Sequence, residues 1–227
     1  MKIAILLTGF VRTYEESYAL LKKNILDEFD CDIFISSWNV NCKIQSLNPE
    51  TFDISKVLER YSPNLINYEF SDLENYLNKK TKIKLLKREH DIFKINSRAK
   101  EHGVYHVENL RDQWYIVKKG LNLINDPKKY DIIFRLRFDI FLYKIDLLNK
   151  DFVIPKDIGG WEYSDHMAYG NWECMSKYCK IYDFIPSLYE NYNIDISHAV
   201  DMLKFYMENF NKVNTFVDDA IVYNIIK

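Results

Sequence analysis

The chain has almost no net charge, no apolar run long enough for a membrane, and no cysteine pattern that suits a metal. Its 227 residues carry 31 basic and 33 acidic side chains, a formal charge of −2. A balance this even provides no bulk attraction to nucleic acid or to anionic lipid, so an anionic ligand has to be held by a local group of cations. The opening apolar run, Ile3-Ala4-Ile5-Leu6-Leu7, is broken by Thr8-Gly9 and followed by Arg12. It is too short to span a bilayer and lacks a signal-cleavage pattern, so no transmembrane segment is expected and the run reads as the buried first strand of a cytoplasmic protein. Cys31, Cys42, Cys174 and Cys179 form no C-x-x-C pair and have no histidines at zinc-finger spacing, which predicts reduced, structural thiols. Internal repeats, low-complexity tracts and heptad arrays are also missing.

Apolar residues make up 48% and charged residues 28% of the chain, a globular balance that lets one core serve one domain of this length. Aromatics reach 15%, with 17 tyrosines. Rings in this number suit stacking on sugars or bases; an AT-rich coding sequence, rich at once in Lys, Asn, Ile, Tyr and Phe, accounts for them as well.

Hydrophobic period divides the chain into alternating strands and helices. Residues 2–8 form a continuous apolar strand ending in Thr-Gly, and from Thr13, placed to cap, the residues Tyr14, Tyr18, Leu21, Ile25 and Phe29 recur at helical spacing. Cys31 to Trp38 is a second buried strand, 54–61 a helix, and Asn64 to Phe70 a third strand. Residues 71–103 are expected to hold helix and loop. Val107, Leu110, Trp114, Val117, Leu121 and Ile124 share one face of a helix over 107–125, ended by Asn125-Asp126-Pro127. A long strand, Tyr130 to Leu142, follows directly. Beyond it come a short strand from Phe152 to Pro155, a Gly159-Gly160 turn, an aromatic loop to about Trp172, and helices, the last opened by Asp218-Asp219. Alternation of this kind is the signature of an α/β domain with a mostly parallel central sheet flanked by helices, of Rossmann-like type.

The chemistry concentrates in two places. Along an extended strand, side chains alternate between faces, so Arg135, Arg137 and Asp139 share one face and Phe134, Leu136, Phe138 and Ile140 the other. Charges on an apolar strand need partners. Either they meet a ligand or metal at the strand's carboxyl end, the edge where parallel α/β sheets bind and where Thr8-Gly9 and Trp38-Asn39 also fall, or they form an internal Arg–Asp salt bridge. The second place is the loop Trp161 to Gly170, where Asp165 and His166 read as a base or polar clamp, or as a capping Asp with a surface His. Asp218-Asp219 reads as an N-cap with a first-turn acid, ahead of a metal role.

In these segments the sequence resembles microbial and viral glycosyltransferases of the GT-A type. The likeness runs through Ile3 to Arg12, Asp32 to Trp38, Tyr130 to Asp139 and Asp165 to Gly170. It implies a transferase that moves a sugar from a nucleotide-diphosphate sugar, with UDP as the carrier, to a glycan or other hydroxyl acceptor in polysaccharide biosynthesis, in the host's cytoplasm if the chain is viral. The implied portions are a nucleotide-binding βαβ part over 1–70, a helical insert and helix over 71–129, and a metal and acceptor part over 130–227. Thr8, Gly9, Arg12, Trp38, Arg137 and Asp139 then contact the donor, Asp139 holds Mn²⁺ or Mg²⁺ at the family's Asp-x-Asp position, and Asp165 deprotonates the acceptor if the enzyme inverts. Position 137 is Arg where that motif has Asp, so Arg137 could itself neutralise the diphosphate. A sugar-nucleotide nucleotidyltransferase would carry a glycine-rich loop after its first strand, whereas Gly9-Phe10-Val11-Arg12 holds one glycine. A binding module without catalysis, using the same fold, is the other reading.

Overall fold

The computed structural model describes residues 1–42, 49–79, 111–159, 162–191 and 199–225. Strands β1 (Lys2–Gly9) and β2 (Asp30–Trp38) follow the two continuous apolar runs, and both are buried on either face because helices cover the sheet from both sides. Between them lies α1 (Tyr14–Leu21), continued by a π-helical turn over Lys22–Leu26. Leu21 and Ile25 enter the core, with Tyr14, Tyr18 and Phe29 packed around them, as the helical spacing predicts. Thr13 does not cap α1 as expected. It adopts a left-handed conformation with φ 52°, and its hydroxyl donates to the carbonyl of Arg12 rather than accepting from the helix.

A small ribbon of β3 (Asn41–Cys42) and β4 (Pro49–Glu50) precedes α2 (Ile54–Tyr61), whose bounds match the sequence reading. Asp53 caps α2 by accepting from the Ser55 N–H. Then come β5 (Leu65–Ser71) and α3 (Leu73–Lys79). The remainder of the 71–103 segment, with Val107 and Leu110, falls outside the described residues. Helix α4 is described over 111–121 and buries Trp114, Val117 and Leu121, with Ile124 just past its end. A short 3-10 turn, Pro127–Lys129, separates it from the next strand.

The strand expected from Tyr130 to Leu142 is two strands. A turn at Phe138-Asp139 divides it, so that β6 (Ile132–Arg137) joins the main sheet and β7 (Ile140–Lys144) pairs with β11 (Val222–Ile225) in a separate antiparallel ribbon. After β8 (Phe152–Pro155), the aromatic loop contains a strand that the sequence reading missed, β9 (Met167–Gly170). Helices α5 (Trp172–Cys179), α6 (Ile181–Asn191) and α7 (Ala199–Phe205) follow, the last running into a π-helical turn over Tyr206–Phe210. Asp218-Asp219 does not open a helix. Asp218 ends strand β10 (Phe216–Asp218), and its carboxylate accepts from the Ala220 N–H in a local turn.

Among the described residues, the main sheet has seven strands in the order β10-β8-β9-β6-β1-β2-β5. Only β9 runs against the others. One core layer, with Trp114, Tyr178 and Met202, covers one face; Leu21, Val57 and Phe138 lie in the layer on the other. Gly170 ends β9 opposite Phe152, where an added Cβ would lie 2.2 Å from the Asp151 carbonyl oxygen and 2.9 Å from the Phe152 Cα. Backbone cannot swing aside as a side chain can, so Gly170→Ala should destabilise the fold by about 1–3 kcal/mol, read as a lower urea midpoint with an unchanged slope. Cys31, Cys174 and Cys179 are free thiols, and burial pushes the Cys179 thiol up to about 12. Among the described residues, no helix is long and apolar enough to cross a membrane.

Candidate functional site

Parallel pairing brings the carboxyl ends of β1, β2 and β6 to one edge, with Thr8 in register with both Ser36 and Arg137. Because β9 runs the opposite way, its entrance lies at this same edge, and the Arg137 N–H donates to the carbonyl of His166 at 3.2 Å. The topology therefore brings together the two segments that the sequence singled out separately.

Gly9 sits at φ 98° with open space where a Cβ would be, so its backbone conformation is what requires glycine. Past it, Arg12 turns back to the far end of β6. Asp139 is 2% exposed, and Arg137 grips it as a fork, Nε to Oδ1 at 2.9 Å and Nη2 to Oδ2 at 2.6 Å. The Arg12 Nη2 reaches the same Oδ2 at 3.4 Å. Two guanidinium groups, each about one-fifth exposed, thus share one buried carboxylate. Of the two readings weighed for this strand, the internal Arg–Asp pair is present.

The residues do not fit a divalent cation as they stand. Mg²⁺ and Mn²⁺ take several oxygen ligands, yet both Asp139 oxygens are taken by guanidinium N–H groups. Among the described residues, no three His, Cys, Asp or Glu side chains gather where they could hold a metal. A cation entering at Asp139 would have to displace Arg137 and then sit beside two positive charges.

Asp165 is 8% exposed, with Oδ2 accepting from the Gln113 Nε2 at 2.9 Å and Oδ1 facing the His166 Nε2 at 3.3 Å. Burial alone would raise its pKa. The charges of His166 and Arg137, the Gln113 hydrogen bond and Arg135 outweigh it and hold the carboxyl below the usual range. On its other side, the His166 Nδ1 lies 3.4 Å from Asp157 Oδ1 and 3.4 Å from the Tyr223 hydroxyl, which donates to Ser164. Burial first, and then the two arginines, lower the imidazole pKa against the pull of the carboxylates, and which ring nitrogen donates depends on the tautomer.

Arg135 lies beneath both segments with no exposed surface. Its Nε donates to the Thr8 hydroxyl at 2.9 Å, and Nη1 donates to the Asp165 carbonyl and, at 3.3 Å, to the Tyr178 hydroxyl. The Thr8 hydroxyl is thereby committed to the protein interior. Trp38 is 2% exposed and stacks on Tyr115 with centroids 5.7 Å apart, so its ring belongs to a buried aromatic group and does not face the edge. A cavity of about 560 Å³ opens past the end of β5 beside that group, lined by residues that include Ser71, Arg111 and Tyr115.

Gln113, Asp157 and Tyr223 were not anticipated. Gln113 did carry a signal, since it falls one turn before Val117 and two before Leu121 on the buried stripe of α4, where a polar residue stands out. Tyr223 lies in a segment expected to be helical, and Asp157 in what reads as a plain turn.

In three dimensions the chain is similar to the mannosyltransferase Ktr4p from S. cerevisiae, at 10% identity over 97% of this chain and 70% of that one, with a TM-score of 0.53. It is also similar to a glycosyltransferase involved in glycosylation of the major capsid of PBCV-1, at 11% identity over 96% and 82% of the two chains with a TM-score of 0.41. A third is GlyE from Streptococcus pneumoniae TIGR4, at 10% identity over 95% and 45% with a TM-score of 0.44. No family model matches the chain, and no curated protein matches it in sequence. At such identities the likeness is one of architecture, carried by Ktr4p: a mostly parallel seven-stranded sheet with flanking helices, the GT-A fold of glycosyltransferases.

Proposed function

We propose that the chain transfers a sugar from a nucleotide-diphosphate donor to a hydroxyl acceptor at the sheet edge formed by β1, β6 and β9. One observation supports the reading: the Arg137 N–H donates to the His166 carbonyl, so the strand end that carries the Arg137–Asp139 pair lies next to the Asp165 loop. Glycosyl transfer needs those two elements next to each other. Positive charge must meet the departing diphosphate, and a carboxylate must receive the acceptor's proton.

In the step proposed, the acceptor oxygen forms a bond to the anomeric carbon as the bond from that carbon to the diphosphate oxygen breaks. The electron pair leaves with the nucleoside diphosphate, where Arg12 and Arg137 compensate its charge, and the hydroxyl proton passes to Asp165. Gly9 lets the backbone turn between β1 and Arg12, while Thr8 acts indirectly, through Arg135.

Incubation with a panel of nucleotide sugars tests the reading, with free nucleoside diphosphate as the measured product. Release from at least one of them is expected. Consumption of a nucleoside triphosphate with a sugar phosphate would identify a nucleotidyltransferase instead, and binding without release a non-catalytic module. Arg12→Ala removes one charged hydrogen-bond donor and should weaken donor binding by about 1.5–3 kcal/mol while leaving the fold intact; unchanged donor affinity by calorimetry would remove Arg12 from the donor site.

A further inference from the structure

We infer that the diphosphate is held by an arginine fork needing no divalent cation, and that Asp139 positions the fork. The inference rests on the donor-site reading above and departs from the metal that the Asp-x-Asp position implies.

Asp139 is an acceptor with its lone pairs already directed at guanidinium N–H groups: Oδ1 at 2.9 Å from Arg137 Nε, Oδ2 at 2.6 Å from Arg137 Nη2 and 3.4 Å from Arg12 Nη2. It lies two residues past the end of β6 and is buried, whereas Arg12 and Arg137 keep part of their surface toward solvent. This arrangement keeps two flexible side chains gathered at the strand end before any ligand arrives, which reduces the ordering cost of binding. A diphosphate can also accept two N–H bonds from one guanidinium, with more charge and more oxygens than a carboxylate, so it can take over guanidinium N–H groups from Asp139. Asp139 is then both holder and competitor for the fork.

That double role gives the carboxylate an effect opposite in sign to that of a metal ligand. A metal ligand's removal abolishes anion binding, because the bridging cation goes with it. Removing a competitor strengthens anion binding, because the guanidinium groups lose their internal partner.

The test is calorimetric titration of the full chain with inorganic pyrophosphate and with UDP, in excess EDTA and separately in Mn²⁺, for the wild type, Asp139→Asn and Arg137→Gln. Wild-type binding of both ligands should persist in EDTA, Asp139→Asn should bind pyrophosphate several-fold more tightly, and Arg137→Gln should lose at least tenfold. Binding that appears only with Mn²⁺, or that Asp139→Asn abolishes in a folded protein, overturns the inference. The wild-type EDTA and Mn²⁺ titrations decide even if Asp139→Asn fails to fold. Nucleotide release from a donor with Mn²⁺ but not in EDTA would overturn the fork and leave the transferase reading standing; no release in either condition, together with no binding of pyrophosphate or UDP, would remove both.

Discussion

Asp165→Asn should lower turnover by roughly 10²- to 10⁴-fold, the usual contribution of a positioned general base, while changing donor affinity little. Asparagine keeps the shape and can still accept from Gln113 at Oδ1, so the loop should survive, but it has no carboxylate to receive the acceptor's proton. The loss should fall on kcat more than on KM, because the interaction exists mainly in the transition state. If donor binding collapses while bound donor still turns over, Asp165 belongs to the donor pocket. The charges around the carboxylate also set a pH signature. With the Asp165 pKa held below its ordinary range and that of His166 lowered by burial and the arginines, any loss of turnover on acidification should set in at lower pH than titration of an ordinary histidine, about 6.5, would give. Both folded pKa values lie below the unfolded ones. The stability these groups contribute is therefore complete above the unfolded values and is lost as pH falls through the folded ones.

The parts of the fold legible in the sequence are those whose pattern is local. β1 and β2 are unbroken apolar runs, and α2 starts at an Asp cap and ends at the buried Tyr61. The turn at Phe138-Asp139 was hidden because it contains neither glycine nor proline and because Phe138 and Ile140 keep the apolar alternation running through it. Strand β9 is four residues long, too short to show a period of two inside a loop dense in rings. Asp218 misled because an acidic side chain bonded to a backbone N–H two residues on looks the same in sequence whether a helix or a turn follows. The candidate site was legible to the same depth. The shared face of Arg135 and Arg137 follows from strand geometry; that Arg137 would meet the Asp165 loop depends on an antiparallel β9 beside β6, which no local pattern specifies. Trp38 shows the reverse error, since a ring at a strand's binding end looks available until Tyr76 and Tyr115 are found packed on it.

Arg135→Met should cost about 3 kcal/mol or more, the largest stability loss expected of a single change at this edge. Methionine matches the length of the arginine stem and relieves the burial of a positive charge, and both effects favour the variant. Against them, the Thr8 hydroxyl and the Asp165 carbonyl lose a charged donor inside the protein, at about 1–3 kcal/mol for each buried group left unsatisfied. The nearby Asp165 carboxylate also loses one of the cations that offset its burial. The hydrogen bonds from Arg135 span 127 residues to Thr8 and 30 to the Asp165 carbonyl, so they tie β1 and the Asp165 loop to β6. We expect the second group of terms to win, because two chain segments depend on one side chain. Arg135→Lys restores the charge but offers one head to acceptors that lie apart, and should recover only part of the loss. Urea denaturation of the three proteins decides the matter. A methionine variant as stable as the wild type would mean that the buried cation is a net burden on the fold, retained for the geometry it imposes on Thr8 and Asp165, and the variant would then lose turnover without losing stability.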